Sequence, residues 1–229
     1  MDQAEAERLV KLHSHWHHKF EIFPNVITPG SYNPKFLLDK LGLPADLNGK
    51  SILDIGACDG YYSAELFARG ANVTALDYRP KTTSGFAIME KVREISIPHI
   101  VSSIYDINED IGKFDVVLLL GVIYHLPDIP SALWKLRKIC KETIFIESYV
   151  EDFGTEQPMA RYYEAATLYG DRTNFWAPNV PCMESMVRDC GFIIKNTHKW
   201  NDRAMIEAKA NGSDLKMKLA YGTFPTANS

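Results

Sequence analysis

At 229 residues, 46% of them hydrophobic and 24% charged, the chain is long enough for one large globular domain with a single core. Twenty-five basic against 29 acidic residues leave a formal net charge of −4, so nucleic acid is not favoured as a partner, although Lys135, Arg137, Lys138 and Lys141 could still form a local basic face. The longest apolar stretch, Val116 to Ile123, is far too short to span a bilayer, so no membrane partner is expected.

The chain opens MDQAEAERLV, acidic where an export signal would be basic and apolar, so a cytoplasmic protein is expected. Cys58, Cys140, Cys182 and Cys190 form no CxxC pair and read as free thiols of a reducing compartment. HSHWHHKF, from His13 to Phe20, then places four histidines in six positions. On a helix His13 and His17, or His15 and His18, could grip a metal ion. No acidic or cysteine ligand stands nearby in sequence to complete a set, so no metal is expected.

From Ser51 onward, short β-rich runs alternate with helical ones, the signature of a parallel sheet covered on both faces. Residues 51–56 read as a strand, 60–70 as a helix bracketed by glycine, 72–77 as a strand, 85–95 as a helix and 99–103 as a strand. FDVVLLLG (114–121) is the most apolar strand and hence the most central. A helix over 130–140 carries Leu133, Leu136, Ile139 and Cys140 on one face, and 142–148 is a further strand. Residues 149–182, rich in Tyr, Pro, Asn and Gly, read as a long insertion over the sheet edge. Residues 183–192 are helical, and FIIKNTHKW with RAMIEAKA read as two sheet-edge strands joined at Asn201 and Asp202. The polar tail after Gly212 is expected to fray at its last residues. The parts are therefore an N-terminal segment (1–48), a ligand-binding core (49–148), an insertion (149–182) and C-terminal helix and strands (183–212) of a single domain.

In an open parallel sheet, ligands sit beyond the carboxyl ends of the strands. The first such turn reads DIGACDGYY, with Gly56 and Gly60 bracketing a bend where backbone N–H groups can approach a ligand. Asp77 ends the next strand roughly twenty residues on, placed to accept both hydroxyls of a ribose. A dinucleotide would want GxGxxG, but Cys58 and Tyr61 stand where two of those glycines belong. The acids Asp54 and Asp59 suit a ligand that carries positive charge and no phosphate.

LDIGACDG, ALD and FDVVLLLGVIYHL resemble the class I S-adenosylmethionine-dependent methyltransferases. GVIYHLPD, FWAPN and WHHKFEIFPNVITPG are most similar to the group that includes the tRNA wobble-uridine carboxymethyltransferase. The resemblance runs from about Trp16 to Lys209. It implies a Rossmann-like class I methyltransferase fold: a seven-stranded, mostly parallel sheet with an antiparallel last strand, plus an N-terminal helical lid. The implied cofactor is S-adenosyl-L-methionine, leaving S-adenosyl-L-homocysteine as product.

By that resemblance Asp54, Gly56, Ala57, Cys58 and Gly60 surround the methionine end, Asp77 holds the ribose and Tyr78 the adenine face. Ser103 and Ile104 fall at the adenine amino group, Gly121 under the cofactor, and Tyr124 and His125 in the reaction cleft, with His125 as general base. Trp16, His17 and Phe20 line the cofactor side of the lid, and His13 and His15 are solvated. Tyr162, Trp176 and Asn179 of the insertion are acceptor-binding candidates. The carboxymethyl-transferring relative holds an extra cofactor carboxylate with a tyrosine, an arginine and a lysine. Tyr124 and Arg203 match the first two, but no lysine motif precedes the glycine turn. Ordinary S-adenosylmethionine is therefore expected, with Arg203 a candidate for an acidic group of a small-molecule acceptor. Methyl transfer to oxygen or nitrogen is the expected reaction, and a tRNA-modifying enzyme or a non-catalytic cofactor-binding subunit are the alternatives.

Overall fold

The computed structural model describes residues 1–222, so the fraying expected of the last residues lies outside the described part. The chain divides into two compact units, Met1–Asp106 and the remainder from Ile107.

The first unit begins with α1 (Gln3–Val10), capped by Asp2, whose side chain accepts the Glu5 N–H. A two-stranded ribbon follows, β1 (Glu21–Phe23) with β2 (Val26–Ile27), then α2 (Lys35–Lys40). β3 (Ser51–Ile55), α3 (Tyr61–Ala68), β4 (Asn72–Asp77), α4 (Phe86–Arg93) and β5 (His99–Val101) complete it, with β3, β4 and β5 paired in parallel. Ile52, Leu53, Leu66, Leu76, Phe86 and Met89 are fully buried and form its centre. Gly60 starts α3 at φ +80°, and a Cβ there would run into Phe86 and Met89 of α4. Glycine at this position lets the two helices close over the sheet.

The second unit carries β6 (Phe114–Leu120), α5 (Ile129–Ile139) and β7 (Cys140–Tyr149), with β6 and β7 parallel. The apolar face expected for α5 is the buried one: Leu133, Leu136 and Ile139 are inaccessible. The insertion is not structureless; it folds back as a short antiparallel pair, β8 (Ala160–Tyr162) with β9 (Trp176–Pro178). α6 (Val180–Asp189) starts earlier than the sequence suggests, because Asn179 caps it and Pro181 sits in its first turn. β10 (Ile193–Trp200) and β11 (Arg203–Lys209) form the expected hairpin, with Trp200 opposite Arg203 and Asn201 at φ +48°. The tail after Gly212 adds a helix, α7 (Leu215–Ala220).

The principal sheet has seven strands in the order β10-β11-β7-β6-β3-β4-β5. β6 is the middle strand, as its apolar run requires, and β11 runs antiparallel to both β7 and β10. This is the seven-stranded, mostly parallel α/β sheet with an antiparallel last strand. One expectation is corrected: β11 is not a sheet-edge strand but lies between β7 and β10, and its residues 204–206 are buried accordingly. β10 alone of the pair is exposed, and Lys195 and Lys199 on it discourage pairing with another chain. Among the described residues no helix is long and apolar enough to cross a membrane.

Candidate cofactor and acceptor sites

The turn after β3 carries the ligand chemistry of the first unit. Cys58 within it holds φ +50°, a left-handed conformation that costs a side-chain-bearing residue energy and is found where function constrains the backbone. Four N–H groups of the turn are spent internally. Gly56 and Ala57 donate to the Leu76 carbonyl at 2.8 and 3.3 Å, Gly60 to the Ala57 carbonyl at 2.8 Å, and Cys58 to Asp77 Oδ2 at 3.0 Å. The expected N–H cradle is therefore not presented. A pyrophosphate would find few donors and two buried acids, Asp54 and Asp77.

Asp77, at the end of β4, also accepts the Arg79 N–H at 2.9 Å and the Arg79 guanidinium at 3.3 Å, both on Oδ1. Three of its roughly four lone-pair sites are thus occupied, one by a long contact that a ribose hydroxyl can displace. Tyr78 beside it is 71% exposed, with the Arg79 guanidinium 5.2 Å from its ring centroid. Its face is open to a flat heterocycle. Asp54 accepts the Ser63 hydroxyl at 2.6 Å, and burial, aided by the nearby Asp77 charge, pushes its carboxyl up to about 6. Such a group ionises readily when a cation arrives. Ser103 accepts the Tyr105 N–H on its hydroxyl, and its carbonyl accepts from Asp106, while Ile104 is buried.

The histidine segment is not helical, which removes the i,i+4 geometry that a metal pair would use. Residues 16–20 run extended, so burial alternates: Trp16, His18 and Phe20 are buried, and His17 and Lys19 are exposed. His17 is exposed, and the histidine buried beneath the segment is His18. A period of two, not of three to four, was the signal to read. The segment is a strap rather than a helical lid. Asp59 Oδ2 accepts the N–H groups of His17 at 2.6 Å and His18 at 2.9 Å, and Oδ1 that of Gly85 at 3.3 Å. Trp16 donates its indole N–H to the Val10 carbonyl at 3.1 Å and lies flat against Gly85, where a Cβ would strike the ring.

Asp59 was expected to favour a cationic ligand. Its carboxylate is instead committed to backbone donors, which corrects that expectation. His18, Cys58 and Asp59 do place three donor atoms within 4.8 Å of one another. Burial pushes the Cys58 thiol up to about 12, and burial, with His17 adding to it, takes the His18 imidazole down to about 4. Asp59 fastens the strap. Phe20 packs on Tyr61 at 5.1 Å between centroids and lines a groove of about 940 Å³ with Ile22, Leu38, Arg69 and Arg93. None of Asp54, Gly56 and Asp77 lines that groove.

In the second unit, Gly121, Tyr124, His125, Glu147 and Arg203 gather at one end of the strands. Gly121 donates its N–H to the Glu147 carbonyl at 3.0 Å. Arg203 closes its guanidinium fork on the buried Glu147 carboxylate, Nε to Oε1 at 2.5 Å and Nη2 to Oε2 at 2.7 Å, and lies 5.0 Å from the Tyr124 ring centroid. Glu147 is 2% exposed. The pair is electrically neutral as a unit, so the grip on an acidic acceptor expected of Arg203 has lost its fork to Glu147.

The Tyr124 and His125 rings lie 4.2 Å apart between centroids, tilted at 44°, and His125 Nδ1 lies 3.0 Å from Thr173 Oγ1. Tyr162, 55% exposed, meets Trp176 edge to face at 5.0 Å, and the Trp176 indole N–H donates to the Pro127 carbonyl at 3.2 Å. Asn179 is buried. Its Oδ1 accepts the Cys182 and Met159 N–H groups at 2.9 and 3.0 Å, and its Nδ2 donates to the Gln157 carbonyl at 2.7 Å. It caps α6 and stitches the insertion, which corrects its expected place at an acceptor.

Residues 53–144 match the family model described as methyltransferase domain. That stretch runs from within β3 into β7 and includes the turn after β3 and Asp77. The chain is 29% identical over 157 residues to the tRNA U34 carboxymethyltransferase of Ectopseudomonas mendocina (strain ymp), covering 64% of this chain and 46% of that one. With the enzyme of the same name from Stutzerimonas stutzeri (strain A1501) it shares 26% over 200 residues, 83% and 60% of the respective chains. The chain thus spans about half the length of the curated relatives it matches. The N-terminal domain of EvdMO1, solved with S-adenosylhomocysteine, superposes with a TM-score of 0.66 over 93% of this chain and 98% of that one at 15% identity. The Burkholderia thailandensis 1,6-didemethyltoxoflavin-N1-methyltransferase gives 0.58 at 16% identity over 77% and 76%. At such identities these structures show the fold alone.

Proposed function

We propose that this chain transfers a methyl group from S-adenosylmethionine to an oxygen or nitrogen of a small-molecule acceptor. The observation that carries the reading is the turn after β3, where the N–H groups of Gly56, Ala57, Cys58 and Gly60 are satisfied from within and the buried acids Asp54 and Asp77 stand beside them. Such a turn suits an adenosyl ligand bearing an ammonium and a sulfonium better than a pyrophosphate.

Bound there, the cofactor supplies an electrophilic methyl carbon. Asp77 accepts the ribose hydroxyls as the Arg79 guanidinium moves off its 3.3 Å contact, and the open ring of Tyr78 covers the adenine. Asp54, ionising as the ammonium approaches, neutralises it. In the second unit His125 accepts the proton of a hydroxyl acceptor, and the exposed faces of Tyr162 and Trp176 offer apolar contact to its ring. The closed Arg203–Glu147 fork supports ordinary S-adenosylmethionine over a cofactor bearing an extra carboxylate, since that carboxylate would have to compete with Glu147.

The test is incubation with methyl-labelled S-adenosylmethionine and cell extract, separated into RNA, protein and metabolites. Label in the metabolite fraction supports the reading. The name carried by the curated relatives favours a second one, modification of a tRNA wobble uridine. It predicts label in RNA and binding that weakens steeply with salt. Cofactor binding without label in any fraction would point to a non-catalytic subunit.

A further inference from the structure

We propose that Thr173 and Asp171 are positioning residues for His125, holding its neutral imidazole as the Nδ1–H tautomer with the lone pair on Nε2. The inference deepens the reading of His125 as the base and rests on it.

The hydrogen bonds fix the direction of each proton. Asp171 Oδ1 lies 2.7 Å from Thr173 Oγ1 and 2.8 Å from the Thr173 N–H. Those bonds, the hydroxyl first, hold the Asp171 carboxyl below its ordinary range, so it stays ionised at neutral pH and can only accept. The threonine hydroxyl therefore gives its proton to Asp171. Its oxygen then faces His125 Nδ1, at 3.0 Å, with lone pairs only. The second partner of Nδ1, the Thr173 carbonyl at 3.2 Å, is likewise an acceptor. Two acceptors on one ring nitrogen require that nitrogen to carry the hydrogen.

The consequence for the reaction is direct. As the acceptor oxygen forms its bond to the methyl carbon and the carbon–sulfur bond breaks, the electron pair of that bond goes to sulfur, giving the neutral thioether. The acceptor's proton moves to Nε2. The resulting imidazolium keeps its Nδ1 proton, and its charge is met by Asp171 through the Thr173 hydroxyl, with the tilted Tyr124 ring on one side and Arg203 beyond that ring. This is the logic of a base oriented by a carboxylate, with a threonine interposed. The base itself is held from the other side by a single turn over residues 123–125, in which the His125 N–H donates to the Val122 carbonyl at 2.9 Å. A loop 46 residues further on thus sets the ring's rotation and tautomer, while the turn sets its position.

The experiment is nitrogen NMR of the whole chain labelled in its histidine rings, at pH 8, with His125 assigned by the signals lost in His125→Gln. The expected result is a protonated Nδ1 and an unprotonated Nε2 in the wild type. Thr173→Val and Asp171→Ala should each raise the Nε2–H population, and Thr173→Ser should restore the wild-type pattern. In the labelled-cofactor assay, using the extract fraction that the wild type labels, the first two should lower turnover about tenfold with cofactor affinity unchanged. An Nε2–H ring in the wild type overturns the proposal even if no variant folds. So does unchanged turnover in both variants. If the wild type fails to bind S-adenosylmethionine, the methyl-transfer reading falls instead, and the NMR result distinguishes that failure from this one.

Discussion

Asp77 and Glu147 both stand near the carboxyl ends of strands, both are almost inaccessible, and each has an arginine beside it, yet the two pairs are built differently. Asp77 meets Arg79, two residues on, by one long guanidinium contact at 3.3 Å, and the arginine is partly exposed. Glu147 meets Arg203, 56 residues away, through two bonds of 2.5 and 2.7 Å. A local, single, stretched contact leaves a carboxylate open to an incoming hydroxyl. A closed fork between β7 and β11 leaves nothing to exchange, and its role is to hold the strands and the Tyr124 ring in place. Both are carboxylates beside an arginine; the geometry of pairing separates a loosely held one from one in a closed fork.

The sharpest way to break that contrast is Arg203→Ala. It strands the buried Glu147 charge, so unfolding stability should fall by about 3 kcal/mol or more in denaturant titration. A loss of acceptor binding at unchanged stability would make Arg203 a ligand residue after all. His125→Ala comes next: turnover should drop about 100-fold with cofactor affinity intact, since the proton acceptor is lost and the first unit is untouched. Asp77→Ala should do the reverse, weakening cofactor binding by about 2 kcal/mol, roughly 30-fold, through the lost charged hydrogen bonds to ribose.

The smallest effect is on protons. Asp54 sits at about 6 in the folded chain, above the ordinary carboxyl value of 3.8, because it is buried. The native state then holds a proton that the unfolded chain releases, so stability falls as pH rises from about 4 to about 6. A cationic ligand favours the ionised form, so cofactor affinity should rise as pH rises through 6. Calorimetry at pH 6 in buffers of different ionisation heat should detect release of a fraction of a proton, absent in Asp54→Asn.

The first unit was legible because its chemistry is local. Gly56, Cys58 and Gly60 lie in one turn, and Asp77 ends the very next strand, so spacing alone placed them together. What the spacing missed there is that the histidine segment runs extended, pinned by Asp59, so that His18 is its buried histidine, and that Asp59 serves backbone donors. The second unit was harder, since its contacts join residues far apart in sequence. Glu147 is a polar residue near the end of β7, but nothing local tells that Arg203 closes on it. Asn179 was drawn toward an acceptor by its aromatic neighbours, whereas an Asn before Val-Pro-Cys is a helix cap, a signal present in the sequence. Thr173 and Asp171 were invisible for the same reason of distance: they meet His125 across the insertion.

The central claim is that the acidic turn after β3, with Asp77, takes an adenosyl sulfonium and not a dinucleotide. Calorimetric titration of the wild-type chain with S-adenosylmethionine, and separately with NADH, tests it most directly. Saturable one-site binding of S-adenosylmethionine, weakened about 30-fold in Asp77→Ala and matched by no heat from NADH, is the predicted result. Saturation by NADH, or silence toward S-adenosylmethionine, would contradict it.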